Sequence, residues 1–147
     1  MNKLLVALAL ALALALSATA CTSGPESEWQ KSYGKTFYEP KEGMAALYII
    51  RDDPDQDTTP IHISNSQSPV GSLVGLSWMR LDLPPSLYDL RAFGAQGSTE
   101  LIVTVNAGES RFLLAEPKPP GNARLVEISQ VPGRALVRKG QAVGTYQ

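Results

Sequence analysis

The chain has very few of the residues that build metal and redox sites. It contains one cysteine and one histidine among 147 residues. A single cysteine cannot form an internal disulfide, and together with one histidine it cannot supply the ligands of an ordinary zinc site. The 13 basic and 14 acidic residues are unclustered, whereas a nucleic-acid-binding surface needs a basic patch or stripe. We therefore expect neither a zinc centre nor a nucleic-acid partner.

Recognisable catalytic motifs are also missing. The segment GLSWM at residues 75–79 lacks the second glycine of a nucleophile elbow. His62 lies in an alternating segment, where a lone histidine is more often a strand residue than a general base. A cleft built from Asp82, Asp89, Arg91 or His62 is the remaining catalytic hypothesis. We predict that the domain is not an enzyme and uses no cofactor.

An acidic segment, DDPDQD, has one feature of a calcium site. Asp53, Asp55 and Asp57 have the spacing of the first three ligands of a calcium-binding loop. The sixth position of such a loop is normally glycine and the twelfth glutamate, but Thr58 and Ser64 stand there. We therefore predict a solvated loop without metal, with calcium binding as the alternative.

The first 20 residues have the three parts of a secretory signal peptide. Lys3 supplies a positive charge, residues 4–16 are an unbroken run of 13 leucine, alanine and valine residues, and the exit SATA consists of small residues. A run of this length is too short to cross a bilayer core as a helix, which takes about 20 residues. We predict that residues 1–20 are a signal peptide.

The one cysteine, Cys21, directly follows this exit. The segment resembles the lipobox of bacterial lipoproteins, in which the leader is cut between Ala20 and Cys21. The resemblance implies that Cys21 carries a diacylglyceryl group and an acylated amino terminus. Ala18 departs from the leucine that these proteins prefer, and the sequence ATA at residues 18–20 also fits ordinary signal peptidase. A secreted protein with a free Cys21 is therefore the alternative.

The predicted mature chain begins at Cys21 and has 127 residues, enough for one domain with its own core. Loss of Lys3 moves its net charge from −1 to −2. Residues 21–42 are predicted to be the lipidated cysteine and a polar tether, and residues 43–147 the folded domain. Thr22 stands where aspartate marks inner-membrane retention in enterobacteria, so the resemblance implies an outer-membrane lipoprotein that faces the periplasm.

Four aromatic residues lie near the end of the tether. Their spacings of four, four and one predict a short amphipathic turn that docks on the domain. The alternative is an exposed aromatic contact for a partner. The four residues are Trp29, Tyr33, Phe37 and Tyr38.

Beyond the tether the sequence alternates between strand and turn signals. AALYIIR at residues 45–51 is a nearly continuous apolar run, typical of a central strand buried on both faces. The remaining strand candidates have period-two patterns or short apolar runs. They are residues 61–63, 78–83, 88–92, 101–105, 112–115 and 123–131.

Two turn signals set the connections between the last strands. NAGE at residues 106–109 predicts a hairpin, and Pro132 and Gly133 are expected to close the final strand. Residues 135–139 and 143–146 fit either a turn of helix or an edge strand.

About seven short strands at roughly ten-residue spacing predict a small antiparallel β-sandwich. No segment of about 12 residues or more after the leader has helical periodicity. The expected core residues are those on the apolar face of each strand, namely Leu47, Ile49, Met79, Leu81, Leu83, Leu90, Leu101, Val103, Val105 and Leu113.

Four motifs stand in a particular order: GMAALYIIR at residues 43–51, IHISNSQSPVGSL at 61–73, WMRLDLPPSLYDL at 78–90 and VNAGESRFL at 105–113. In order and spacing they resemble an uncharacterised family of bacterial lipoproteins, the domain-of-unknown-function family 2846. The resemblance implies a small β-sandwich in the cell envelope, without assigned catalytic residues.

Two positions depart from the pattern of this family. NSQS at residues 65–68 replaces an Asp-Gly turn, so a longer hairpin is expected there. Ser86 replaces a glycine, so a positive φ is not expected at that position.

These features predict a lipid-anchored, non-enzymatic structural or interaction module of the bacterial cell envelope. Its expected partners are the membrane, through the anchor, and an envelope protein. The alternative is a protein that binds a small ligand, a lipid or a glycan on the exposed side of the strand that holds Trp78 and Arg80. A large apolar pocket between the sheets would favour the alternative, and a packed core with an exposed edge strand the first hypothesis.

Overall fold

The structure is a computed structural model that describes residues 35–54 and 59–146. Residues 1–20, Cys21, Trp29 and Tyr33 lie outside these ranges. The described chain forms nine strands and one helix. In chain order they are β1 (Ala45–Arg51), β2 (Ile61–Asn65), β3 (Ser68–Leu73), β4 (Ser77–Leu83), β5 (Ser86–Phe93), β6 (Ser98–Val105), β7 (Ser110–Lys118), β8 (Asn122–Ile128), α1 (Gln130–Lys139) and β9 (Gln141–Ala142).

The strands form two sheets that face each other across the core. Sheet 1 has the order β8-β7-β1-β4-β9, and sheet 2 has the order β3-β2-β5-β6. Most neighbours are antiparallel, which confirms the predicted small all-β sandwich. Two pairs are parallel, β1 with β7 and β4 with β9. The strands beyond the predicted set are β3 and the two-residue β9.

β1 is the central strand of sheet 1 and is buried along its whole length, as its continuous apolar run predicts. Leu47 and Ile49 point into the core between the sheets, whereas Tyr48 and Ile50 point to the outer side of sheet 1. Full burial of an aliphatic side chain contributes roughly 1.5–3 kcal/mol. A strand that is apolar on both faces is therefore stable only with a packed layer on each side.

The core between the sheets contains most of the residues that the alternating pattern predicts. Seven of the ten are buried: Leu47, Ile49, Met79, Leu90, Val103, Val105 and Leu113. The other three, Leu81, Leu83 and Leu101, pack against the core but are only half-buried. Leu81 is thus not fully buried, and its truncation removes less packed surface than truncation of a residue such as Leu113.

The hairpin predicted at residues 106–109 is wrong. β6 ends at Val105 in sheet 2 and β7 begins at Ser110 in sheet 1, so this turn carries the chain from one sheet to the other. Gly108 has φ +80°, and its N–H donates to the carbonyl of Met44 at 2.8 Å. The local signal correctly marks a tight turn, but β7 pairs with β1 and β8 rather than with β6.

The longer hairpin expected at residues 65–68 is also wrong. Only Ser66 and Gln67 separate β2 from β3. Ser66 has φ +53°, so it adopts the left-handed conformation that normally favours glycine or asparagine. Ser86 begins β5 in extended backbone, as expected for a serine in place of glycine.

The residues after β8 form a helix rather than the predicted end of a strand. Pro132 and Gly133 lie in the first turn of α1, where proline is tolerated because the first N–H groups of a helix have no partner within it. Residues 135–139 belong to the same helix. α1 covers the outer side of sheet 1, and its Val137 is fully buried against that sheet.

An aromatic cluster fills the space between α1 and sheet 1. The rings of Tyr48 and Phe112 stack at 4.9 Å with an angle of 6° between their planes. Trp78 lies 6.2 Å from Tyr48, and Phe37 lies 5.7 Å from the same ring. Phe37 therefore docks on the domain, whereas the neighbouring Tyr38 is exposed.

Hydrogen bonds connect the two sheets along both sides of the sandwich. Residues 141–146 join one side, because β9 pairs with β4 while Thr145 pairs with Gly71 of β3. On the other side, the Thr99 hydroxyl of β6 donates to the carbonyl of Ala123 in β8 at 2.7 Å. Among the described residues, no helix is long and apolar enough to span a bilayer.

Gly133 should not tolerate alanine, although alanine favours helices by about 1 kcal/mol over glycine. A Cβ at this position would lie 2.5 Å from ring atoms of the buried Phe112. Such overpacking costs about 1–3 kcal/mol, so Gly133→Ala should lower the free energy of unfolding in urea melts.

Gly144→Ala is the matched control, because no atom lies within 4 Å of a Cβ built there. This substitution should change stability by less than about 1 kcal/mol. A Gly133→Ala protein as stable as the wild type would show that α1 does not pack on Phe112 as described.

Candidate functional site

The two outer faces of the sandwich differ in what lies over them. α1 and Phe37 cover the central part of the outer face of sheet 1. Over the outer face of sheet 2, no helix or strand of the described chain is packed, and its side chains are exposed or half-buried. We call this surface the open face; its members are His62, Ser72, Leu87, Asp89, Arg91, Phe93, Glu100, Ile102 and Thr104.

One end of the open face is apolar. Leu87 and Ile102 are 60% and 56% exposed. Leu87 is opposite Thr104 and Asp89 is opposite Ile102 in the β5–β6 ladder, so the two apolar side chains are diagonal neighbours, about 7–8 Å apart. Together they form a small exposed apolar patch at this end.

The middle of the open face carries charges. The Arg91 guanidinium lies 2.9 Å from a Glu100 carboxylate oxygen and 3.5 Å from one of Asp89. All three side chains are partly exposed, so each pair is worth only about 0–1 kcal/mol to stability. The group has one cation and two anions, and it gives the middle of the open face a net negative charge.

The other end of the open face holds a chain of polar contacts beside an aromatic ring. His62 Nδ1 lies 2.7 Å from Ser72 Oγ, and this oxygen lies 3.2 Å from the Tyr146 hydroxyl. Phe93 is opposite His62 on the next strand. The register of the β2–β3 hairpin could have revealed Ser72, whereas no local signal connects Tyr146 to a strand 74 residues earlier.

The contact between His62 and Ser72 has one element of nucleophilic catalysis but lacks the others. A serine–histidine pair acts when a third group orients the histidine and when the site excludes water. His62 makes no ion pair within the described ranges, and its bond to Ser72 is at an exposed position. The geometry thus fits a surface polar contact better than an acid–base site.

Of the four residues named for a catalytic cleft, His62, Asp89 and Arg91 lie on the open face, and Asp82 does not join them. Asp82 lies in sheet 1 and accepts a hydrogen bond from Arg80 at 2.8 Å, whereas the other three residues lie in sheet 2. Tyr88, on β5, points away from the open face and packs against the core. Burial raises the pKa of its phenol above the ordinary value, and the hydroxyl donates to the Pro84 carbonyl at 2.7 Å.

The side of β4 that holds Trp78 and Arg80 is not an exposed binding surface, so the expectation for that side is wrong. Trp78 is 2% exposed because α1 and β9 cover it. Arg80 donates to the Tyr48 hydroxyl at 2.9 Å and to the Tyr38 carbonyl at 3.1 Å. The alternation of the strand correctly separates the two faces, but it does not indicate that a later helix packs on one of them.

Asp53, one of the three candidate calcium ligands, is bound to an arginine. Both of its carboxylate oxygens accept hydrogen bonds from the buried Arg51, at 2.7 and 2.9 Å. Asp55 and Asp57 lie outside the described residues. Within the described ranges, no three carboxylate, histidine or cysteine side chains are close enough to hold a metal ion.

A cavity of about 270 Å³ opens at one end of the sandwich, beside Arg51. Arg51 also donates to the carbonyls of Thr59 and Leu73, and its charge is offset by Asp53. The other walls are loop residues and the ends of β2, β7 and β8, and they include Ala95, Pro117, Pro119 and Asn122. The cavity therefore lies at the end of the sandwich, where strand ends of both sheets meet the loops.

Compared with protein-family models, with curated proteins and with solved structures, the chain matches none. The resemblance to the lipoprotein family therefore rests on the order of its short motifs.

The ion pair between Arg51 and Asp53 predicts a difference between two adjacent aspartates. Asp53→Asn should lower the free energy of unfolding by about 1–3 kcal/mol, because charge-assisted hydrogen bonds to a buried cation are lost. Asp52→Asn is the matched control, since Asp52 meets Lys139 at an exposed position and such pairs contribute about 0–1 kcal/mol. Equal effects in urea melts would contradict a structural role for Asp53.

Proposed function

We propose that this protein is a lipid-anchored, non-enzymatic interaction module of the bacterial cell envelope that faces the periplasm. In this proposal the open face contacts an envelope protein. The observation that carries it is the contrast between the faces, since sheet 1 is covered by α1 while sheet 2 exposes Leu87, Phe93 and Ile102.

Hydrogen bonds on the edge strands β3 and β6 favour contact through side chains over strand addition at these two edges. Partners that add a strand need a free edge with unpaired backbone groups. The Val70 carbonyl on the edge strand β3 already accepts a hydrogen bond from the Tyr146 N–H at 2.7 Å. The Thr104 carbonyl of β6 accepts one from Arg111. The exposed side chains of the open face are therefore the better contact surface.

The sequence supports the anchor. The apolar leader, its small-residue exit and the single Cys21 fit a lipidated cysteine, and two acyl chains give stable membrane attachment. An outer-membrane location is proposed from Thr22 and from the resemblance to the lipoprotein family.

Replacement of Cys21 by serine should abolish lipid attachment. Cells fed a clickable fatty acid should label the wild-type protein but not Cys21→Ser, and the variant should leave the membrane fraction. A Cys21→Ser protein that still incorporates label and remains in the membrane would show that the anchor is elsewhere or absent.

A photo-crosslinking residue at position 102 should capture a discrete partner in intact cells, because Ile102 lies on the open face. The same residue in place of Val126, which is 36% exposed on β8 outside that face, is the matched control. Leu87→Asp should reduce the adduct at position 102 without lowering stability, since Leu87 is exposed. Equal adducts at positions 102 and 126 would contradict the proposal.

A second candidate function, small-ligand binding, is favoured by the cavity beside Arg51. Its volume of about 270 Å³ is slightly below the usual range for ligand pockets, about 300–1,000 Å³. Saturable binding of a lipid or glycan fragment there, without a photo-adduct at position 102, would favour this function over the first.

A further inference from the structure

The tether joins the domain on the side of α1. Phe37, near the start of the described chain, lies against Tyr48 and Phe112. Two cations of the helix lie over the same ring, with the guanidinium carbons of Arg134 and Arg138 at 5.2 and 5.1 Å from its centroid. Phe37 has φ +54°, a conformation that bulky residues rarely adopt unless packing holds them there.

α1 carries cations and no acids. Its sequence, QVPGRALVRK, contains Arg134, Arg138 and Lys139. Lys139 is paired with Asp52 at 2.8 Å, which offsets one of the three charges. The adjoining segment 35–42 holds two lysines and two glutamates and therefore has no net charge. The net positive charge of the helix and this segment thus comes from the arginines of the helix.

An exposed apolar residue lies at the start of the same helix. Val131 is 82% exposed, the highest value among the large hydrophobic residues in the described ranges. Tyr38, which directly follows the docked Phe37, is 52% exposed. Cations of this kind can contact the headgroups of anionic lipids, and exposed aliphatic and tyrosine side chains can enter the bilayer interface.

The tether is long enough for this side to reach the membrane. If Cys21 is the anchored residue, 16 residues lead from it to Phe37. Fully extended, they span at most about 55 Å, at about 3.3–3.6 Å per residue. A domain of this size has a radius of gyration of about 13 Å, so the bilayer is within reach of the side to which the tether is joined.

We propose that α1 and Tyr38 form a membrane-facing surface, in which Arg134 and Arg138 contact the headgroups of anionic phospholipids and Val131 enters the interface. The inference deepens the proposed function and rests on its lipid anchor. Because the open face is on the opposite side of the sandwich, this orientation turns it away from the bilayer and toward periplasmic partners.

Fluorescence quenching by lipids with a nitroxide on the headgroup tests the orientation of the full mature protein. Cys21 is the sole cysteine and is consumed by the lipid, so Ala135→Cys on α1 or Thr104→Cys on the open face provides a unique thiol for a fluorophore. In vesicles of phosphatidylcholine and phosphatidylglycerol, we expect severalfold stronger quenching at position 135 than at position 104. Equal quenching, or stronger quenching at position 104, would overturn the proposal.

Second substitutions test the chemistry of the contact. With the fluorophore at position 135, Val131→Asp or Arg138→Gln should reduce quenching, whereas Ile102→Asp on the open face is the control and should not. Raising salt from about 0.1 M to about 1 M shortens the screening length from about 10 Å to about 3 Å, and should also reduce it. Unchanged quenching in vesicles of phosphatidylcholine alone, or its loss with millimolar phosphate at constant ionic strength, would overturn the assignment to anionic lipid.

Mass spectrometry of the amino-terminal peptide separates failure of the anchor from failure of the orientation. If the peptide is not acylated, the Cys21→Ser protein carrying the same fluorophores is added to the same vesicles. If α1 contacts the bilayer without the anchor, quenching should again be stronger at position 135 than at position 104. Equal quenching at the two positions of the Cys21→Ser protein would overturn the inference as well.

Discussion

The burial of β1 on both faces is the constraint on which the rest of this fold depends. Leu47 and Ile49 require an apolar layer on one side, and Tyr48 and Ile50 require another on the opposite side. Sheet 2 supplies the first layer, and α1 with Phe37 supplies the second. Because the strands of sheet 2 are buried on only one face, the outer face of this sheet needs no cover. The two outer faces of the sandwich therefore differ, since α1 and Phe37 pack on one and the other is exposed.

The strands could be predicted from the sequence because burial on one or both faces leaves a period-two or continuous apolar pattern. The pairing of these strands could not be predicted so well. The turn NAGE has the same local chemistry whether the chain returns within one sheet or crosses to the other, and only the partner of β7, which is the distant β1, decides between them. α1 is short, and its Pro132 and Gly133 resemble the end of a strand.

The candidate site shows the same limit. The sequence identified His62, Asp89 and Arg91 as outward-facing strand residues, and the structure brings them to one surface. It could not show that Asp82 belongs to the other sheet, nor that a later helix covers Trp78. Ser72 and Tyr146 join His62 only through the folded hairpin and the return of residues 141–146. The signal peptide and Cys21 lie outside the described residues, so their assignment continues to rest on sequence alone.

Residues 141–146 join the two sheets by backbone hydrogen bonds along one side of the sandwich, and this limits which truncations and fusions the domain can accept. The N–H of Val143 donates to Trp78 in sheet 1, and that of Tyr146 donates to Val70 in sheet 2. A truncation before residue 141 would leave the edge of β3 with unpaired backbone groups, and exposed edges of this kind recruit strands of other molecules. The same edge would also set a limit on fusions placed within this segment, since a bulky insertion there would separate the sheets along one side and expose the edge of β3 to pairing with other molecules.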